Sequence, residues 1–197
     1  MMKRAFDLLF SFTILTLFLP FGMLISMLIV IGSKGGIFYR QERIGKHGKP
    51  FMLLKFRSMR IDSDQRGKLT IGMNDSRITQ IGLFIRKYKL DEFPQFINVL
   101  LGEMSIVGPR PEVEEFVSLY NTSQKRVLEV KPGVTDYASI EYFNENAILA
   151  ESNNPKKTYI ETIMPEKIRL NQKYISNPTL AHDLKIIFRT ILRILKN

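Results

Sequence analysis

From Leu8 to Gly32 the chain runs 25 residues without a charge, LLFSFTILTLFLPFGMLISMLIVIG. As a straight helix this stretch reaches ~37 Å at ~1.5 Å per residue, more than a hydrocarbon core of ~30 Å. Few globular cores bury a helix this long and this apolar. The Met-Lys-Arg start would suit a secretory signal, but no small-x-small cleavage site follows and the chain continues into Lys34 and Arg40. The segment therefore reads as a retained membrane element. Pro20 stands at its middle with Gly22 two places on. Proline removes a backbone donor and kinks a helix. The carbonyl it frees needs a partner in lipid, and Thr16, four residues earlier, is placed to supply one. Basic residues flank both ends, so charge gives no orientation and leaves spanning and re-entrant topologies open.

Charge is unevenly distributed. Residues 1–60 carry ten Lys/Arg against Asp7 and Glu42, a surplus of eight out of the net +10. A basic block beside an apolar segment points to anionic lipid or a phosphate ligand, with nucleic acid as the rival. The absence of a helix-turn-helix or stacking motif in that block argues against nucleic acid. There is no cysteine, so disulfides, thiolate zinc and thiol catalysis are excluded. His47 and His182 are too few for a histidine metal cluster.

Past residue 33 the pattern predicts one mainly α domain with a small β-hairpin, an α+β chain divided as 1–33 and 34–197. IFYRQERIG and PFMLLKFRSM read as strands around a His47-Gly48 turn. The polar stretch 61–76 reads as a surface loop. Ile78, Ile81, Phe84 and Ile85 have helical spacing. A further helix starts near Asp91-Glu92 with Pro94 in its first turn, carries Phe93, Phe96, Ile97, Leu100 and Leu101 on one side, and stops at Gly102. VKPGVTDY suggests a Pro-Gly turn. In the last helix, Leu184, Ile187, Phe188, Ile191, Leu192 and Leu195 form one face, and Lys185, Arg189 and Arg193 form a basic stripe. That pattern suits a helix lying in the membrane interface.

GSKGG is not a Walker loop, and no GxGxxG occurs. The chemistry-bearing candidates are Asp91 and Glu92, with Lys55, Arg57, Arg86 and Arg110 as cations, and Pro109 and Pro111 stiffening the loop around Arg110. Adjacent helical residues diverge by about 100°, so the two acids do not share a proton as a dyad would. They either divide catalytic labour or cap the helix, a role worth about 0.5–2 kcal/mol. Spacing alone favours capping.

FYRQERIGKHGKPFMLLKFRSM, LDEFPQFINVLLGEMSIVGPRP, KPGVTDYAS and DLKIIFRTI, together with the proline-split apolar segment, resemble the bacterial sugar transferases, the small monotopic polyprenyl-phosphate phosphoglycosyltransferases. At this length the resemblance implies the minimal form, lacking the extra membrane helices of larger relatives. It implies transfer of a sugar-1-phosphate from a UDP-sugar to undecaprenyl phosphate with release of UMP, at the start of glycan assembly. It further implies Mg²⁺ as cofactor, held by Asp91, with Asp91 as nucleophile and Glu92 beside it. A re-entrant helix broken at Pro20 would place the protein on the cytoplasmic face of the bacterial inner membrane. The partners implied are the donor, the acceptor and membrane lipid, with no nucleic acid and with a homodimer left open. Leu19-Pro20 stands where relatives often have Ser-Pro, and Tyr137 and Ser139 replace the family's Trp and Gln, suggesting a different sugar pocket. A non-catalytic scaffold of a glycan pathway is the competing reading.

Overall fold

The computed structural model describes residues 2–61 and 75–196. Most of the polar stretch 61–76 lies outside them. Helix α1 spans Met2–Gly32 and carries Pro20 in its interior, continuing on both sides of it. Thr16 does not serve as the expected partner, because its hydroxyl donates to the Phe12 carbonyl at 2.9 Å. Ser26 Oγ likewise donates to the Gly22 carbonyl at 2.7 Å.

The hairpin forms as expected. Strands β1 (Phe38–Ile44) and β2 (Pro50–Phe56) pair antiparallel, with Tyr39 opposite Lys55, and His47 and Gly48 take positive φ in the turn. Helix α2 (Gln80–Lys87) begins later than the spacing suggests. Thr79 caps it by accepting from the Gly82 N–H, Ile78 instead bridges Met59, and Phe84 faces outward. Helix α3 (Gln95–Leu101) ends at Gly102 in the left-handed region, as expected. Its buried face is polar as well as apolar, however: Gln95, Asn98 and Val99 are inside while Leu101 is exposed. Asn98 is tied to β2, donating to the Met52 carbonyl and accepting from the Leu54 N–H.

Strands β3 (Ser105–Val107) and β4 (Gly133–Thr135) form a short parallel pair that the sequence did not announce. The expected turn at Pro132-Gly133 is instead the entry to β4. A Cβ on Gly133 would lie 2.1 Å from the Gly108 nitrogen, so only glycine allows these backbones to cross. Short helices α4 (Glu114–Val117), α5 (Tyr137–Glu141), α6 (Glu145–Ala150) and α7 (Pro155–Thr158) follow the loops. Helix α8 (Met164–Ile175) and helix α9 (Leu180–Leu195) close the fold.

Helix α1 belongs to this body. Phe6 and Phe10 pack on the core around Val99, Met104 and Ile106, while Ile25 and Ile29 join Phe56 and Ile85. Asp7 is buried and accepts from the Ser105 hydroxyl and the Ile106 N–H. Lys3 reaches Asp183 at 2.5 Å and the Val107 carbonyl at 3.1 Å. Arg4 donates to the Val99 and Leu100 carbonyls at the end of α3. At the far end Arg57, buried, donates to the carbonyls of Ser33 at 2.8 Å and Lys34 at 2.6 Å. The rest of α1 is exposed and apolar, including Leu9, Phe12, Leu17, Phe21, Met23 and Ile31. Water is an unfavourable solvent for such a surface, and the protein associates with membrane through it.

Helix α9 docks through Asp183 and Ile186, with Ile187 half-buried. Leu184, Phe188, Ile191, Leu192 and Leu195 stay exposed beside the basic stripe. The expected apolar face thus divides: Leu184, Phe188, Leu192 and Leu195 point out of the fold, as an interface helix requires, while Ile187 and Ile191 border the interior cleft.

Gly35 has φ of +119°, and a Cβ there would meet Arg57 Nη1 at 1.8 Å. Gly35→Ala is expected to displace the guanidinium and lower stability by about 1–3 kcal/mol, read as a lower melting temperature in detergent.

Candidate active site

Asp91 and Glu92 sit in a single 3-10 turn, Leu90–Glu92, entered through Lys89 in the left-handed region at φ 55°. Pro94 precedes α3, and no side chain makes a capping hydrogen bond there. Capping therefore does not account for the two acids. The turn sends them in different directions. Glu92 is held bidentately by Arg110, at 2.5 and 3.1 Å, and by Lys55 at 3.0 Å. Asp91 is 6% exposed, and its Oδ1 has no hydrogen-bond partner within the protein.

Their electrostatics separate accordingly. Burial pushes the Asp91 carboxyl up, with Lys55 opposing and the Glu92 charge adding to the rise. Burial would also raise Glu92, but Arg110 and then Lys55 outweigh it and hold that carboxyl well below the usual range. Glu92 in turn raises the Arg110 guanidinium, and burial lowers the Lys55 amine. One acid is a fixed counter-ion. The other is a desolvated carboxylate with a bare oxygen.

The loop bearing Arg110 is positioned from beneath. Fully buried Asp136 accepts from the Arg110 N–H at 3.1 Å and from the Ser139 N–H at 2.6 Å. Pro109 and Pro111, both buried, contribute through their carbonyls, which accept from the Gly133 N–H and from Arg43. Arg43 also pairs with Glu112 at 3.5 Å, and Glu112 accepts from the Tyr159 hydroxyl. Burial raises the Tyr159 phenol.

Arg43, Glu112, Ser139 and Tyr159 line one cleft of about 830 Å³, while Pro109, Pro111 and Asp136 lie behind its wall. Lys55, Arg86, Asp91, Glu92 and Arg110 all face it. Arg57 touches the cleft, where its Nη1 and Nη2 donate to the carbonyls of Lys34 and Ser33 just past α1 and its Nε has no partner within the protein. Pro20 lies on the exposed part of α1 and is not among the residues that line the cleft. Of the two unusual residues, Ser139 lines the cleft with an unpartnered Oγ, whereas Tyr137 packs into the core. Sequence reasoning missed Asp136, Arg43, Glu112 and Tyr159. The one available signal was an acid inside the unusual GVTDYAS stretch.

Of the ten cations in residues 1–60, Lys3, Arg4, Arg43, Lys55 and Arg57 have side-chain partners within the protein, and Arg60 interacts there as well. Part of the basic block is thus used inside the fold. Among the described residues no three acids or histidines converge as a metal cluster. Mg²⁺ needs only one or two carboxylates when substrate phosphates complete its shell, and the orphaned oxygen of Asp91 fits that demand.

The family profile described as bacterial sugar transferase matches residues 1–197. The chain belongs to the bacterial sugar transferase family. The UDP-glucose:undecaprenyl-phosphate glucose-1-phosphate transferase of Escherichia coli (strain K12) is 34% identical to this transferase over 200 residues, covering 98% of this chain and 40% of that protein. The uncharacterized sugar transferase EpsL of Bacillus subtilis (strain 168) is 37% identical over 196 residues, 98% of this chain and 87% of that protein. The exopolysaccharide production protein ExoY of Rhizobium meliloti (strain 1021) is 34% identical over 206 residues, 97% and 84% respectively. This transferase thus spans less than half the length of the Escherichia coli relative but most of the other two.

The two acids predict opposite stability effects. Asp91→Asn removes a destabilising buried charge and is expected to raise the melting temperature at neutral pH, with the gain shrinking as pH falls through the raised Asp91 value and gone once pH lies below the ordinary Asp range. Glu92→Gln leaves Arg110 and Lys55 without their counter-charge and is expected to cost about 2–3 kcal/mol. Thermal unfolding of the ligand-free protein checks both.

Proposed function

We propose that the protein transfers a sugar-1-phosphate from a UDP-sugar to undecaprenyl phosphate, through a covalent intermediate on Asp91. The observation that carries this reading is Asp91 itself, a buried carboxylate with one oxygen unpartnered within the protein, placed in the lining of a cation-rich cleft beside a long apolar helix. The names of relatives support the substrate class, since those of Escherichia coli and Klebsiella pneumoniae are UDP-glucose:undecaprenyl-phosphate transferases and that of Aeromonas hydrophila is an N-acetylgalactosaminephosphotransferase.

In the first step an Asp91 oxygen attacks the sugar-bearing phosphorus. A new P–O bond forms to the carboxylate, and the bond to the α-phosphate oxygen breaks, releasing UMP. In the second, a phosphate oxygen of the acceptor attacks the same phosphorus, and the Asp91–phosphorus bond breaks. The product is a polyprenyl diphosphate-linked sugar, and the carboxylate returns. Desolvation leaves Asp91 less stabilised as an anion and so a better nucleophile. Glu92 anchors Arg110 and Lys55 so that their positive charge stays directed at the cleft. Arg86 adds a further cation on the cleft wall. Asp91 would hold Mg²⁺ together with the donor's phosphates, and the ion would supply charge neutralisation of the diphosphate. Two separate steps suit a donor dissolved in water and an acceptor dissolved in lipid.

The same reading includes a monotopic topology on the cytoplasmic face. Both ends of α1 are fastened to one folded body, by Lys3 and Arg4 at one end and Arg57 at the other. A bilayer of ~30 Å between those ends would leave no room for both attachments.

Purified protein with Mg²⁺, undecaprenyl phosphate and a panel of UDP-sugars is expected to release UMP with one or a few donors. Asp91→Asn should be inactive while still folded, and an active variant would remove the assigned nucleophile. In cells, Met2→Cys and Lys34→Cys are both expected to react only with reagents reaching the cytoplasm, whereas labelling from opposite faces would establish a spanning helix.

A further inference from the structure

The cleft that holds Asp91 and Arg110 also has an apolar wall. Phe10 and Ile14 of α1, Phe96 of α3, and Ile187, Ile191 and Ile194 of α9 line it. Thr135 and Thr190 interrupt this wall, but their hydroxyls bond to each other at 2.7 Å. The two helices that supply most of the wall are the two whose outward surfaces are apolar. Leu9, Phe12 and Leu17 are exposed on α1, and Leu184, Phe188 and Leu195 on α9. The exposed Lys185, Arg189 and Arg193 flank the α9 surface, where anionic headgroups would lie.

We propose that this wall seats the first isoprene units of the lipid acceptor, so that the chain enters between α1 and α9 while its phosphate reaches Asp91. The inference rests on the reading that the acceptor is a polyprenyl phosphate. Such an amphiphile brings a charged head to a cation-lined site and a hydrocarbon chain that the cations cannot solvate. An apolar surface continuous with the bilayer and ending at Asp91 meets both needs. Moving the chain from lipid to protein exchanges one apolar environment for another, so burial of area supplies little selectivity. Shape must supply it, and the informative perturbation is steric.

Ile14→Trp and Ile191→Trp test this in lipid vesicles, using the UDP-sugar selected by the panel and KM expressed as mole fraction of acceptor. Each is expected to raise the KM for undecaprenyl phosphate at least about fivefold. Each should also reduce the preference for undecaprenyl phosphate over a two-isoprene phosphate. Leu184→Trp, on the lipid-facing side of α9 and outside the cleft, should leave both quantities unchanged. Exchange of labelled UMP into the UDP-sugar needs no acceptor and reports on the donor step. Normal exchange in both cleft variants with unchanged acceptor KM and chain-length preference overturns the proposal. Absence of exchange in the unsubstituted protein instead overturns the covalent intermediate, while the acceptor comparison still decides the groove. If a tryptophan variant fails to fold, Ile14→Phe and Ile191→Phe carry the same comparison.

Discussion

Attachment of one apolar helix at both of its ends to a single polar body governs this structure. Lys3 and Arg4 hold the start of α1 against α9, β3 and α3, and Arg57 holds its last carbonyls. Everything between must be apolar toward lipid and complementary toward the domain. Asp7 and Ser11 are buried on the domain side, and a Cβ added at Gly22 would come within van der Waals reach of Phe18 and Phe56. Small and polar residues mark the protein-facing stripe of a helix whose other faces are largely apolar. The turn bearing Asp91 and Glu92 inherits this arrangement, because Phe93 beside it stacks on Phe18 at 3.8 Å and Lys55 stands two residues before Arg57.

Within the turn, chemistry follows from unequal pairing of equal groups. Asp91 and Glu92 are neighbours of nearly the same intrinsic acidity. Glu92 receives two cations and becomes a permanent anion, whereas Asp91 receives burial without a hydrogen bond at Oδ1. A carboxylate left unsatisfied in a folded interior is costly, and such cost concentrates at functional sites.

Much of the secondary structure was legible. Two strand-like stretches around a His47-Gly48 turn defined the hairpin, and Gly102 marked the end of α3. The outward face of α9 was readable because a basic stripe accompanied it. Other features were not legible, for identifiable reasons. An all-apolar helix has no periodic signal, so the docking stripe of α1 was invisible. Ile78 and Phe84 fitted helical spacing, but the Thr79 cap placed the start between them. Asn98 looked unsuited to a core, yet its amide satisfies the edge of β2. The site itself depends on convergence over long separations. Glu92 meets Lys55 across 37 positions and Arg110 across 18, and Arg57 was assigned to phosphate although it binds backbone carbonyls 23 and 24 positions away. No local pattern encodes such a destination.

The role of α1 in the core bears on how the catalytic body could be separated from lipid. Cutting the chain after Gly32 would strip Phe6 and Phe10 from one cluster and Ile25 and Ile29 from another. It would also leave the guanidinium of Arg57 without the Ile29 carbonyl and without the helix that presents the others. The anchor is therefore part of the hydrophobic interior of the enzyme, and a water-soluble catalytic fragment would need a replacement for that interior as well as the loss of the tail.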